Sequence, residues 1–338
     1  MGGGGAPGGG VTIVEISEQR SLKGGRTKLV RRRARRKIKQ GRTGMILSVG
    51  EILADMVAES GKDVLHIQAR CGGAPFNCAV NAKQAGAEVG FIGRVGNDPV
   101  GRFLQSYARQ AGFDYLNVQT DGVRSTTLAF VTLTDGERDF SFSRRDTADY
   151  HIDLADIDFG SFADLRIVHL GSLMLSEEAG QKLAREIVQR TRKIGAKLSF
   201  DVNFRGDIYA DFESARRAYR PFVAEADILK FSEEEIGSFT GLADMDAAVA
   251  SLNKPDSLIV VTLGKKGCAY YYGGLSGTLP AAPAGKCVDT TGAGDAFFGA
   301  LLAGVDGKEL TKETIENALA RANEAGARTI GFKGAVQL

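Results

Sequence analysis

Short apolar runs alternate with longer amphipathic ones through most of the chain. Residues 45–50 (Met-Ile-Leu-Ser-Val-Gly) form a strand-length apolar segment, and 87–96, 167–171, 197–201, 228–230 and 257–263 repeat it. Between and after them, segments beginning at Pro99, 176–194, 212–224 and 311–326 read as helices. Repeated strand–helix units predict a parallel sheet covered by helices on both faces. From Thr126 the period changes. Residues 126–133 and 138–143 are β-rich and are joined by Thr134-Asp135-Gly136-Glu137, a hairpin signal. A hairpin that interrupts strand–helix alternation predicts a small sheet standing off the main one. With Val64-Leu65-His66-Ile67-Gln68 it is expected to form a β lid over a cleft, drawn from about 62–71 and 124–145.

Polar residues then appear where the strands end. Asp55 follows the first strand, Asp201-Val202-Asn203-Phe204-Arg205 a central one, and Ser232-Glu233-Glu234-Glu235 the next. Open α/β sheets place ligand contacts at such ends. Each also has a plainer reading: a turn-capping role for Asp55, and a helix N-terminus favoured by the dipole for the acidic triplet. Gly72-Gly73-Ala74-Pro75-Phe76-Asn77 allows close backbone approach and starts a helix near Pro75. There Asn77 either caps the helix or offers donor and acceptor to a polyol hydroxyl.

Val288-Asp289-Thr290-Thr291-Gly292-Ala293-Gly294-Asp295-Ala296-Phe297 is the stretch with the most chemistry in it. Its small-residue turn opens an apolar helix, whose first-turn amides lack intrahelical partners. Those amides and the macrodipole favour an anion. A carboxylate beside a bound phosphate is explained if Asp295 accepts the proton of an attacking hydroxyl; the alternative is a helix-terminal cap.

Composition narrows the setting. The net charge of +2 hides a division: residues 1–44 hold twelve Lys and Arg against two acids, which leaves the remainder at −8. The glycine-rich, Arg-rich tail has no apolar face and is expected to be disordered. It is read as an extension in preference to a nucleic-acid tether or a targeting peptide. Cys71, Cys78, Cys268 and Cys287 form no Cys-x-x-Cys pair and the three histidines are dispersed, so neither a zinc site nor a disulfide scaffold is expected, and a reducing cytoplasm fits. No apolar run reaches membrane-span length. The P-loop motif, the Gly-x-Ser-x-Gly elbow and zinc-protease motifs are absent.

Strand-end polar residues, a glycine turn and one carboxylate suit phosphoryl transfer, which is mostly positioning and charge neutralisation. Glu235 is a candidate to hold Mg²⁺ indirectly, through water. From about Met45 to its end the chain resembles the ribokinase-like (PfkB) carbohydrate kinases. The resemblance rests on Gly72–Asn77 with Gly93-Arg94-Val95-Gly96-Asn97-Asp98, followed by Asp289–Asp295. It implies a three-layer ribokinase-like α/β fold with a mainly parallel central sheet and a small β lid. It implies ATP and Mg²⁺, with Asp295 as general base and Gly292, Ala293 and Gly294 as the anion hole. Asp55, Gly72, Gly73 and Asn77, joined by Arg144, Asn203 and Arg205, would hold the sugar; for Arg144 the alternative is a lid-anchoring ion pair. Thr262, Gly264, Gly267 and Asn323 match the nucleotide side, and Asp289 a position that helps hold a monovalent cation such as K⁺ in some members. One departure is Ser232, where the family's Asn-x-x-Glu carries an amide.

The 126–149 segment and Asp201–Arg205 look most like the fructokinase and 2-keto-3-deoxygluconate kinase branch. Fructose is the expected substrate and a 2-keto-3-deoxy sugar acid the alternative, while Ser143 stands where relatives that take sugar acids often carry an aromatic residue. A catalytically silent sugar-binding relative is the competitor from another class. Lid strands also suggest a homodimer by edge pairing.

Overall fold

The computed structural model describes residues 44–338 except 61–63, 135–136, 163, 205–207 and 210. The expectations placed on the basic tail before Gly44, on the Asp135-Gly136 turn and on Arg205 therefore lie outside the described residues.

In chain order the elements are β1 (Met45–Val49), β2 (Leu53–Ser60), β3 (Leu65–Gly72), α1 (Ala74–Gln84), β4 (Glu88–Gly96), α2 (Pro99–Gln110), β5 (Tyr115–Asp121), β6 (Leu128–Thr134) and β7 (Glu137–Ser143). There follow β8 (Leu165–Leu170), α3 (Glu178–Lys193), β9 (Lys197–Asp201), α4 (Phe212–Glu225), β10 (Ile228–Ser232), α5 (Glu233–Thr240) and α6 (Met245–Ser251). The chain closes with β11 (Leu258–Thr262), β12 (Cys268–Tyr272), β13 (Leu275–Leu279), α7 (Ala293–Val305) and α8 (Lys312–Thr329). The main sheet has the order β13-β12-β11-β10-β9-β8-β1-β4-β5. It is parallel from β11 through β5, and β12 and β13 add an antiparallel edge.

Its strands are apolar on both faces because both are covered. Met45, Leu47 and Val49 of β1 join a core with Leu183, Ile187, Tyr219, Phe222 and Ile236 from α3, α4 and α5. Ile46, on the opposite face, packs with Phe76, Val80, Phe297, Leu301 and Leu319 from α1, α7 and α8. Burial of each such side chain contributes roughly 1.5–3 kcal/mol.

The small sheet has the order β3-β2-β6-β7, antiparallel except where β2 runs parallel to β6. Three strands were not expected from the pattern: β2 of this sheet, and β5 and β13 of the main one. β2 carries Ala, Asp, Met and Glu, weak strand formers, and owes its extended form to ladders with β3 and β6 on either side. β5 alternates poorly because it is an edge, paired only with β4.

Helix α7 is apolar nearly all round because α1 and α8 cover it. Glycine makes that close packing feasible: a Cβ on Gly299 would stand 2.3 Å from the Cys78 carbonyl oxygen and 2.9 Å from the Ala82 nitrogen, both backbone atoms of α1. Gly299→Ala gains about 1 kcal/mol of helix propensity, but it pushes the two helices apart. We expect a net loss of about 1–3 kcal/mol in unfolding free energy by urea titration; an unchanged midpoint would mean that the interface yields.

Candidate active site

The C-terminal ends of the parallel strands open onto a cavity. Its lining comes from the loop after β1 (Glu51), β2 (Leu53, Asp55), the start of α1 (Gly73, Ala74, Asn77), the small sheet (Ala129, Phe142), Leu173 after β8, Asn203 after β9, Lys230 of β10 and the turn into α7 (Thr291, Gly292, Gly294, Asp295). Of the residues expected from the sequence, Asp55, Gly73, Asn77, Asn203, Gly292, Gly294 and Asp295 come together here.

Helices α1 and α7 deliver their first turns to one point. Gly292 is the N-cap of α7 with φ +77°, and a Cβ there would stand 2.6 Å from Ala335, so glycine is required twice over. Asp289 fixes the approach to the turn: its Oδ1 accepts the Thr291 amide at 2.7 Å and its Oδ2 the Gly334 amide at 2.9 Å. Where the two helix starts meet, Asn77 donates from Nδ2 to Asp295 Oδ2 at 2.8 Å. Its Oδ1 is buried with no hydrogen-bond partner among the described residues. Asp55 is seated by Gly72, where any Cβ would meet its Oδ2 at 2.4 Å. Gly73 takes φ +109° against the Glu51 carbonyl, and Asn203 lies in the left-handed region at φ 33°, strained for a residue with a side chain.

Lys230 is a residue the sequence reading passed over. It occupies the buried face of β10 that also presents Ile228 to the α1–α7 side, and its Nζ is held at 2.8 Å by both oxygens of Asp201. Burial works against its charge, but Asp201 and then Glu235 hold the ammonium above the ordinary lysine range. A Cβ on Gly294 would stand 3.3 Å from Nζ, which places a fixed positive charge beside the α7 turn. A charged residue inside a strand buried on both faces was the available signal. Glu51, Phe142 and Leu173 were also passed over.

Other expected residues are placed elsewhere. The Arg144 guanidinium donates to Asp149 Oδ2 at 2.8 Å and to Ser176, and lies 4.7 Å from the centre of the Tyr150 ring. It is the lid-anchoring pair and is not among the residues lining the cavity. Glu235 closes a capping box with Ser232: its Oε2 accepts the Ser232 amide at 2.6 Å, while its Oε1 accepts the Phe204 amide at 2.9 Å. Thr262 caps the end of β11 beside Ser232, with Oγ1 on the Phe231 carbonyl. Gly264 and Gly267, at φ +56° and +104°, bracket the following turn, where a Cβ on Gly267 would stand 2.0 Å from the Leu279 carbonyl oxygen. Asn323 of α8 donates to the Pro280 carbonyl at 3.0 Å. These last residues form a neighbourhood apart from the cavity lining, along the β10–β11 side of the sheet.

Among the described residues, no group of three or more His, Cys, Asp or Glu is arranged to hold a metal directly, and no helix is long and apolar enough to cross a membrane.

Fold and cleft define a class, the ribokinase-fold sugar kinases, and solved members superpose over most of the chain. Fructokinase from Vibrio cholerae O395, in a fructose-, ADP- and calcium-bound form, matches with a TM-score of 0.77 at 32% identity, covering 87% of this chain and 94% of that one. Fructokinase from Xylella fastidiosa with bound ATP matches with a TM-score of 0.79 at 30% identity, covering 86% and 93%. In sequence, fructokinase-1 of Oryza sativa subsp. japonica is 36% identical over 306 residues, covering 88% of this chain and 94% of that protein. Residues 43–337 match the pfkB family carbohydrate kinases, and the chain belongs to that family.

The Lys230–Asp201 pair supplies a stability test. Asp201→Ala leaves a buried ammonium without its partner and should cost about 3–5 kcal/mol in denaturant unfolding. A loss below about 1 kcal/mol would show that water reaches Lys230 and that its charge is not fixed by burial.

Proposed function

We propose that this carbohydrate kinase transfers the γ-phosphate of ATP to a primary hydroxyl of a ketose, with fructose as its substrate. The observation that carries the reading is Asp295, hydrogen-bonded to Asn77 at the head of α7 and lining the same cavity as Asp55. Asp55, Gly73, Asn77 and Asn203 hold the sugar hydroxyls, with Gly72 seating Asp55 and Arg205 completing the set. Asp295 accepts the hydroxyl proton as the oxygen attacks phosphorus, and the phosphate–ADP bond breaks in line. The turn Gly292-Ala293-Gly294 receives the negative charge of the transferring group on its amides. Lys230 lies next to that turn and adds to the same field.

Thr262, Gly264, Gly267 and Asn323 form the nucleotide side. Glu235 would hold Mg²⁺ through water, which suits a carboxylate whose two oxygens already accept backbone amides; when bound, the ion neutralises phosphate charge. Asp289 would contribute to a K⁺ site at the loop it braces. A neutral ketose is favoured over a sugar acid because Asp55 and Asp295 bring two carboxyl groups to the cavity. A homodimer through the small sheet is supported by Leu65 and Ile67, 59% and 42% exposed on its edge strand β3; we place the enzyme in the cytoplasm. Light scattering should give twice the chain mass, and a strict monomer at high concentration would remove the dimer.

Asp295→Asn should lower kcat by about 10²-fold or more with the fold intact. The experiment is an ADP-release assay over fructose, other hexoses, 2-keto-3-deoxygluconate and nucleosides. Turnover of the sugar acid in preference to fructose would reverse the substrate assignment, and near-wild-type activity of the variant would remove Asp295 as base.

A further inference from the structure

Glu51 is used by nothing described so far. It follows β1 directly, is 2% exposed, and lines the cavity together with Asp55, Asn77 and Asp295. Its Oε2 is buried with no hydrogen-bond partner among the described residues. Room for that oxygen is kept by a glycine: a Cβ on Gly171, at the end of β8, would stand 2.8 Å away. A buried carboxyl oxygen left unpaired costs free energy that a packed interior does not tolerate without return. The same lining holds a second orphan, Asn77 Oδ1. Two residues of one cavity lining, each with an unpaired buried polar atom, are the imprint of a hydroxyl-bearing ligand.

We propose that Glu51 is a further sugar-binding residue, whose carboxyl group in its protonated form donates a hydrogen bond to an oxygen of the bound sugar. The inference rests on the reading of this cavity as the sugar site and extends it to a residue of the loop after β1. Burial raises the Glu51 acid to about 7, Asp149 and Asp295 push the same way, and its own backbone amide and Arg144 act against them. A protonated carboxyl is the only form that can donate. Its neutrality also avoids adding another negative charge beside Asp295, whose own charge is needed for proton abstraction.

The sign of the pH effect follows. Below about 7 the acid holds its proton and sugar binding is complete; above it the carboxylate loses the donor, so KM for the sugar rises as pH passes from 6.5 to 8.5. Glu51→Gln keeps a donor and does not titrate.

The test measures KM for fructose, KM for ATP and kcat on the full chain, from pH 6 to 9, for wild type, Glu51→Ala and Glu51→Gln. We expect Glu51→Ala to raise KM for fructose by about tenfold with KM for ATP changed less than about twofold. Glu51→Gln should stay within about threefold of wild type at pH 6.5 and lose the alkaline rise. Unchanged fructose KM in a folded Glu51→Ala overturns the proposal, and so does a Glu51→Gln profile that rises like wild type. If Glu51→Ala does not fold, the Glu51→Gln profile decides alone. A wild type that phosphorylates no neutral sugar takes down both this proposal and the substrate reading beneath it, whereas active wild type with an indifferent Glu51→Ala removes Glu51 only.

Discussion

One hydrogen bond joins the two halves of the cavity: Asn77 Nδ2 to Asp295 Oδ2, spanning 218 positions of sequence. It exists because α1 and α7 lie against each other closely enough for their first turns to meet, and they do so because Gly299 presents no side chain to the α1 backbone. The bond also does something a generic helix cap does not. It ties the Asp295 carboxylate to the start of α1, while the Asn77 Oδ1 is buried with no hydrogen-bond partner among the described residues. Packing between two helices thus sets the orientation of a reactive group.

The electrostatics around that bond are divided. Carboxyl groups of Glu51, Asp55 and Asp295 line the cavity, where an uncharged polyol with many hydroxyls can use them as hydrogen-bond partners. Positive charge stands at the α7 turn, where the helix N-terminus presents its amides and a Cβ on Gly294 would be 3.3 Å from the Lys230 ammonium. Asp201 keeps that ammonium in place and keeps it charged. A neutral acceptor on one side and an anionic donor on the other is the arrangement phosphoryl transfer needs. The fructokinases of Vibrio cholerae O395 and Xylella fastidiosa share the fold in which this division occurs.

Much of this architecture was legible along the chain. Alternating strands and helices indicated a covered parallel sheet, and β1, β4, β8, β9, β10 and β11 lie where the apolar runs are. The turn at Gly292 was legible because positive φ and close approach both demand glycine. β2 was not, since most of its residues have weak strand preference and it is held by ladders with β3 and β6, and β5 was not, since it is an edge strand whose pattern alternates poorly. Lys230 and Glu51 were missed for a related reason. Single charged residues in or beside apolar runs look like surface positions until the helices that bury them are in place.

The sequence by itself determined the fold class, the glycine turn and the identity of Asp295 and Asn77, because these depend on local backbone demands and on periodicity. Only the tertiary structure decided that Asn77 holds Asp295, that Arg144 is committed to Asp149, that Asp201 secures Lys230 beside the turn into α7, and that Glu51 is left with an unpaired oxygen among the described residues. Each of those outcomes is a contest among several partners for one polar group under burial, and which partner is within about 3 Å is set by how whole layers pack.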